Sequence, residues 1–184
     1  MKKRYRKQLT AAACIAFLSA AFAIALFFMP FAKMNEDFPR YAAYAEQLAI
    51  EDIVIDAPSG LKISDIMTLS QFSITKGVYY HELLVEPDDF NRIGLFFLLC
   101  GHIVLLGLVM IFLLFRKATA VILLDLFAAA LAFWYWFYSL AGKTYVEGYS
   151  YSIGFYGFYP CCLIILLCGI WMFALKRRIK AQKR

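Results

Sequence analysis

The sequence predicts an all-α membrane protein, a four-transmembrane-helix bundle that carries a small mixed α/β extracytoplasmic segment between its first and second helices. Three observations lead to this fold class. Of the 184 residues, 63% are hydrophobic, the mean hydropathy is +0.68, and thirteen basic residues without any acid border the apolar stretches on one side. A soluble domain of this size cannot bury so much apolar surface, so we expect lipid to be its solvent.

Four apolar stretches are long enough to cross a hydrocarbon core of about 30 Å, which takes about 20 helical residues. The predicted spans are residues 9–29, 94–115, 118–140 and 153–175. The basic residues ahead of the first stretch are also typical of a signal peptide. We expect an uncleaved anchor instead, because the apolar run of 21 residues is too long for a signal peptide and Pro30 occupies the upstream position of the best cleavage site.

The distribution of charge predicts the orientation of the spans. The N-terminus (1–8), the turn (116–117) and the tail (176–184) hold thirteen basic residues, whereas residues 30–93 carry eleven acidic and five basic ones. Because basic residues are retained on the cytoplasmic side, we expect both termini in the cytoplasm. Residues 30–93 and the short loop 141–152 then lie outside a plasma (cytoplasmic) membrane. Orientation and anionic lipid explain the basic tail, so no nucleic acid is expected as a partner.

The first predicted span contains a row of small residues at spacings of three and four. Such a row lets another backbone approach closely, and helix association in lipid depends on this packing. The helix that packs there belongs either to the same chain or to another protein. The predicted helix-packing face consists of Ala12, Ala16, Ser19, Ala20 and Ala23.

The outer segment contains signals for several short elements. They are an amphipathic helix over residues 35–48, a hairpin or edge-strand pair of residues 52–56 with 61–63, a helical turn around residues 65–69 and extended structure over residues 72–75 with 78–80. About sixty residues without disulfides or metal ligands are marginal as an independent fold. We therefore expect this segment to rest on the outer ends of the spans.

Aromatic residues collect on both sides of the second outer loop, at residues 133–138 and 149–159. An aromatic belt at the level of the lipid headgroups is favoured over an aromatic platform for a ligand. Pro160 lacks an N–H donor, which predicts a kink or an open carbonyl in the fourth span. Gly154 and Gly157 just before it predict either close packing or flexibility.

Two ionisable side chains lie deep in the predicted spans, His102 in the second and Asp125 in the third. Charge is costly in a bilayer, which makes them a candidate intramembrane polar site. Their predicted depths differ by about 9 Å, so we do not expect a direct pair. Asp125 is either a proton or cation site, a contact for a basic residue of a partner, or a carboxyl that is protonated or bonded to a neighbouring helix, and the last is favoured. For His102 a neutral imidazole hydrogen-bonded between helices is favoured over a functional role.

The sequence contains no motif for catalysis or cofactor binding, such as a glycine-rich phosphate loop or His-Glu-x-x-His. We expect no enzymatic activity, no catalytic residue, no cofactor and no bound metal. All five cysteines fall in predicted spans, where apolar packing is the favoured role. A candidate outer acidic cluster, for which a solvated acidic face is favoured over weak cation binding, consists of Glu82, Glu86, Asp88 and Asp89.

The predicted topology resembles that of the claudin and peripheral-myelin-protein family. The likeness consists of four spans, cytoplasmic ends, a first outer loop of about sixty residues and a short second one. The family hallmark is a Trp followed by Gly-Leu-Trp and two cysteines in the first outer loop. Residues 30–93 contain neither Trp nor Cys, so no functional residue can be carried over.

These observations favour a non-enzymatic membrane accessory or interaction protein that acts through its outer loop and helix faces. The expected partners are the lipid bilayer and other membrane proteins, or a second copy of the chain. The alternative is a small transporter or channel subunit that uses Asp125 and His102 along an intramembrane polar path. Four spans are few for a transporter, so this alternative requires an oligomer.

Overall fold

Four long helices and several short strands make up the part of the chain that the structure describes. The computed structural model describes residues 2–34, 54–56, 61–62, 68–73, 89–141 and 149–182. Its helices are α1 (Lys2–Leu26), α2 (Asp89–Leu114), α3 (Ala118–Ala141) and α4 (Ile153–Ala181). Its strands are β1 (Pro30–Met34), β2 (Val54–Asp56), β3 (Leu61–Lys62), β4 (Thr68–Ser70) and β5 (Tyr149–Tyr151). The predictions of a mostly helical chain and of a small sheet are confirmed.

All four helices overlap the apolar stretches that the sequence predicts as spans. Two of them contain segments long and apolar enough to cross a membrane, Arg4–Leu26 and Ile153–Ala181. The described side chains of α2 and α3 form shorter apolar segments, Cys100–Leu114 and Ala118–Trp134.

The chain divides into two compact units. Unit 1 comprises Met1–Ala25, His102–Leu131 and Phe158–Arg184, and unit 2 comprises Leu26–Gly101 and Ala132–Gly157. Unit 1 is built from segments of all four helices. Unit 2 contains the described strands.

In unit 1 each helix buries one row of side chains three or four positions apart, as 3.6 residues per turn require. On α1 this row includes Ala12, Ala16, Ala20 and Ala23, which are at most 1% exposed, and Ser19 beside it is half-buried. The predicted small-residue face is therefore covered within this chain. On α2 and α3 the buried rows contain the two polar residues that the sequence singled out.

Helix α2 ends in a Schellman motif, a pair of backbone hydrogen bonds that closes a helix. The Lys117 N–H donates to the Phe112 carbonyl and the Arg116 N–H to the Leu113 carbonyl, both at 2.9 Å. Arg116 has a φ of 54°, a left-handed conformation that glycine usually adopts because a Cβ costs about 1–2 kcal/mol there. The chain reverses within three residues, and α2 and α3 follow each other directly.

Unit 2 contains a three-stranded antiparallel sheet with the order β4-β1-β5. Ala32 in the central strand pairs with Leu69 of β4 and with Tyr151 of β5. The sheet thus takes strands from both outer connections, whereas the sequence predicted strands only between the first two spans. A second, smaller sheet pairs β2 with β3 and confirms the predicted hairpin.

Two predictions for the outer segment are wrong in the residues that the structure describes. Part of the predicted helical turn is strand β4, and the predicted extended structure is helical at Phe72 and Ser73. Pairing with β1 holds β4 extended, and the Ser73 N–H then donates to Ser70 Oγ at 3.0 Å. Ser70 thereby acts as a helix N-cap. The predicted helix over residues 35–48 lies outside the described residues.

The described residues after β4 contact the turn that follows α1. The Phe72 N–H donates to the Phe27 carbonyl at 3.1 Å, and the two rings lie 6.2 Å apart between centroids. Phe28 and Phe72 are also in ring contact, with centroids 5.3 Å apart. These contacts attach the segment after β4 to the turn that follows α1.

The start of α4 packs against the same turn. A Cβ at Gly154 would lie 2.9 Å from the Pro30 carbonyl oxygen and 3.1 Å from those of Leu26 and Met29, and a Cβ at Gly157 would lie 2.9 Å from Leu26 Cδ1. Close packing is therefore the role of both glycines. Helix α4 continues through Pro160.

Replacing Gly154 by alanine should destabilise unit 2, because backbone carbonyl groups cannot move aside as side chains do. We expect Gly154→Ala to lower the free energy of unfolding by about 1–3 kcal/mol, the usual cost of overpacking. Gly107→Ala is the matched control, since a Cβ there meets nothing within 4 Å and alanine favours the helix. Thermal unfolding of the detergent-solubilised variants measures both changes. Equal midpoints for the two variants would contradict the packing role.

Candidate functional site

The two polar residues that the sequence singled out are both buried in unit 1 and both face α4. His102 on α2 and Asp125 on α3 are each 1% exposed. The His102 ring meets the Phe158 ring edge to face, with 5.2 Å between centroids and 87° between planes. The Cys162 thiol lies beside the Asp125 carboxyl group and can donate a hydrogen bond to it. Helix α4 therefore supplies a partner for each.

The partners of His102 and Asp125 lie on successive turns of α4. Phe158 and Cys162 are four residues apart, which places them on one face and about 6 Å apart along the helix axis. The structure thus collects the two predicted site residues along one short stretch of a third helix. We name this group, His102, Asp125, Phe158 and Cys162, the α4 polar site.

Asp125 retains an unused acceptor. Its Oδ1 atom is buried and has no hydrogen-bond partner among the residues that the structure describes. Leaving a buried acceptor unsatisfied costs about 1–3 kcal/mol, and more when the group is charged. A proton, a water molecule or a small cation would satisfy this oxygen. The α4 polar site can therefore bind one further donor in addition to the Cys162 thiol.

Cys162 is a member of the α4 polar site that the sequence analysis did not single out. The sequence favoured apolar packing for every cysteine, and burial of Cys161, Cys162 and Cys168 agrees with packing. All five cysteines lie among the described residues and none forms a disulfide bond, and the thiol of Cys162 can also donate a hydrogen bond to Asp125. Its position four residues after Phe158 shows that the two side chains share one face of α4. The local sequence does not show that this face turns toward α3.

The remaining predicted site is largely outside the described residues. Glu82, Glu86 and Asp88 of the candidate acidic cluster fall there, and Asp89 is the first residue of α2. Within the described ranges, no group of three or more His, Cys, Asp or Glu side chains is placed to hold a metal ion. The α4 polar site is thus the candidate site for which the structure supplies geometry.

Comparison with known proteins adds no relative. The chain matches no family model, no curated protein and no solved structure. The resemblance to the claudin and peripheral-myelin-protein topology stays a prediction, and it rests on the number and order of predicted spans alone. Functional assignment therefore depends on the residues and contacts of this chain.

Removing the thiol of Cys162 should weaken the α4 polar site. We expect Cys162→Ala to lower the free energy of unfolding by about 1–3 kcal/mol, because it leaves the buried Asp125 carboxyl without its donor. Cys162→Ser keeps a donor and should recover part of the loss. Cys168→Ala is the control, a buried thiol six residues further along α4. Unfolding midpoints of the purified variants measure the differences.

A double-mutant cycle provides the second readout. If the hydrogen bond carries the effect, Cys162→Ala should cost less in an Asp125→Asn background than in the unmodified chain. Equal losses in the two backgrounds, or equal losses for Cys162→Ala and Cys168→Ala, would show that only side-chain volume matters.

Proposed function

We propose that this chain is an integral membrane protein whose four helices all span the bilayer as a four-helix bundle. One observation carries the proposal, the placement of apolar side chains on the outside and polar ones on the inside. Leu18, Leu114 and Phe127 are between 64% and 70% exposed, whereas His102 and Asp125 are 1% exposed. This arrangement is unfavourable in water and favourable in lipid, where backbone groups are satisfied within helices.

The charge distribution supports cytoplasmic termini in a plasma membrane. The N-terminal segment, the turn after α2 and the end of α4 are basic, and the outer segment is acidic in balance. Basic residues next to spans stay on the cytoplasmic side. In this orientation the strands of the β4-β1-β5 sheet, which come from both outer connections, belong to the extracytoplasmic side.

The function that we propose is that of a non-enzymatic accessory protein, which presents its outer segment and helix faces to other membrane proteins. Support comes from an aromatic surface in unit 2 formed by Phe28, Met29 and Phe72, which are 60%, 37% and 46% exposed. Contiguous exposed apolar side chains mark interaction sites, and aromatic residues are enriched in binding hot spots. Since the small-residue face of α1 is buried within the chain, the aromatic surface is the better candidate for contact with a partner.

A transporter or channel subunit is the second candidate function. It is favoured by the buried Oδ1 atom of Asp125, which can accept a proton or a cation on the interior of the bundle. Proton or cation flux in proteoliposomes that disappears in Asp125→Asn would establish this function. Flux that is absent, or unchanged in Asp125→Asn and His102→Ala, would exclude it.

Labelling of single cysteines tests the proposed topology. We expect a membrane-impermeant maleimide to label Ser150→Cys on intact cells and Arg178→Cys only after the membrane is opened, because the two exposed positions lie on opposite sides. The background lacks the exposed Cys14 and the half-buried Cys100. Labelling of both positions on intact cells would contradict the four-span proposal.

Photocrosslinking tests the interaction function. With a benzoylphenylalanine residue at position 72, we expect a discrete protein adduct in native membranes, because this side chain belongs to the proposed partner surface. Position 127 is the control, a similarly exposed phenylalanine on α3 that should react with lipid. Lipid adducts alone at both positions, together with a monomeric purified protein, would contradict the accessory role.

A further inference from the structure

A cavity lined by basic side chains lies in unit 1. It has a volume of about 400 Å³ and takes its lining from α1, from the turn after α2 and from α4. We call it the basic cavity. Four of its lining residues carry a positive charge at neutral pH: Arg6, Arg116, Lys176 and Lys180. A concave site that collects charge of one sign concentrates ligands of the opposite sign.

Hydrogen bonds fix the turn beside the basic cavity. Arg116 Nη2 donates to Thr10 Oγ1 at 3.2 Å, and Lys176 Nζ donates to the Arg116 carbonyl oxygen. The Thr10 hydroxyl in turn donates to the Arg6 carbonyl at 3.1 Å. Three elements are thereby tied at one place. The cations need little further ordering to bind an anion, which reduces the cost of binding.

The positive charges around the basic cavity lack a matching carboxylate in unit 1. Asp125 is the one acidic residue in the three sequence segments of this unit, and it is buried with the Cys162 thiol as donor. The acceptors that Arg116 and Lys176 contact are neutral oxygens. Like charges around one cavity repel each other, so a bound anion would relieve this repulsion.

An apolar groove continues from the basic cavity between α1 and α2. An adjoining cavity of about 610 Å³ shares Arg6 and Arg116 with it. This second cavity shares Thr10, Cys14 and Arg116 with a third one of about 430 Å³. The third is lined mostly by apolar side chains, among them Ala13, Phe17, Leu18, Leu113 and Leu114. The three adjoining cavities are lined by basic side chains at one end and by apolar ones at the other. This arrangement fits an amphiphile with an anionic head.

We propose that the basic cavity binds the phosphate of an anionic phospholipid, and that one acyl chain of this lipid lies in the groove between α1 and α2. The proposal rests on the four-span insertion proposed above, which places the cavity at the level of the inner-leaflet headgroups. Basic pockets between helices at this level suit anionic headgroups, and arginine pairs with phosphate by charge-assisted hydrogen bonds. Inorganic phosphate shares the head chemistry and leaves the groove unfilled.

Lipid titration of the purified full-length chain in detergent tests the proposal. We expect phosphatidylglycerol to raise the thermal midpoint saturably, because a ligand that binds only the folded state stabilises it. Phosphatidylcholine and inorganic phosphate should leave the midpoint almost unchanged. An equal rise with phosphatidylcholine would overturn anion recognition, and an equal rise with inorganic phosphate would assign the cavity to a free anion.

Arg116→Gly is the sharpest variant, since it removes the guanidinium group and places glycine where the backbone is left-handed. Without lipid it should be about as stable as the unmodified chain, because relief of the left-handed strain offsets the lost hydrogen bond to Thr10. In Arg116→Gly and in Lys176→Gln we expect the half-saturating phosphatidylglycerol concentration to rise about fivefold. This is the effect of losing one contact between a cation and the lipid. Arg178→Gln removes an exposed charge outside the lining of the cavity and should change this concentration less than about twofold.

Unchanged binding in both Arg116→Gly and Lys176→Gln, or an equal loss in Arg178→Gln, would overturn the site. The cysteine labelling described above separates this failure from that of the proposed function. If Ser150→Cys and Arg178→Cys label on opposite sides and the lipid response is absent, the lipid site alone is wrong. If both cysteines label on intact cells, the four-span insertion is wrong and the lipid site falls with it.

Discussion

The rotational setting of α4 is the constraint on which the interior of unit 1 depends. One face of this helix meets the His102 ring through Phe158 and the Asp125 carboxyl through Cys162. Further along, Gly169 lies so close to α3 that a Cβ would be 2.8 Å from Ile122 Cγ1. Each residue turns the helix by about 100°. A one-residue error in rotation would therefore remove the polar contacts and the close approach together.

Much of the architecture could be predicted because it depends on local pattern. The helices could be predicted from the length and periodicity of their apolar stretches. Arg116 and Lys117 mark the turn between α2 and α3, because they interrupt an apolar run that is otherwise continuous. The hairpin of β2 and β3 was predictable because alternation and turn residues adjoin each other. What the pattern could not provide is the direction in which each helix faces. Burial of Asp125 was foreseeable, but its contact with Cys162 requires the relative rotation of two helices.

The β4-β1-β5 sheet shows the same limit for strands. Its central strand pairs Ala32 with Tyr151, residues that are far apart in the sequence. Strands of three to five residues carry little propensity of their own, so long-range pairing decides their conformation. Around Ser70 this pairing even reversed the local preference, since β4 is extended where a helical turn was predicted and Ser70 then caps a helical turn. Tertiary pairing thus governs the short elements, while periodicity governs the long ones.

Arg116 adopts a left-handed backbone conformation, which usually belongs to glycine, and it lines the basic cavity. Its left-handed backbone costs about 1–2 kcal/mol relative to glycine, and a cation at the C-terminus of α2 regains about 0.3–1 kcal/mol from the helix dipole. The exposed hydrogen bond from the Arg116 guanidinium group to Thr10 adds about 0.5–1.5 kcal/mol, so the two gains together roughly offset the strain. Glycine would avoid the strain but would lose both gains, so stability alone does not favour either residue at this turn. An arginine there is best explained by what its charge does in the basic cavity, because residues that violate local preference concentrate at functional sites.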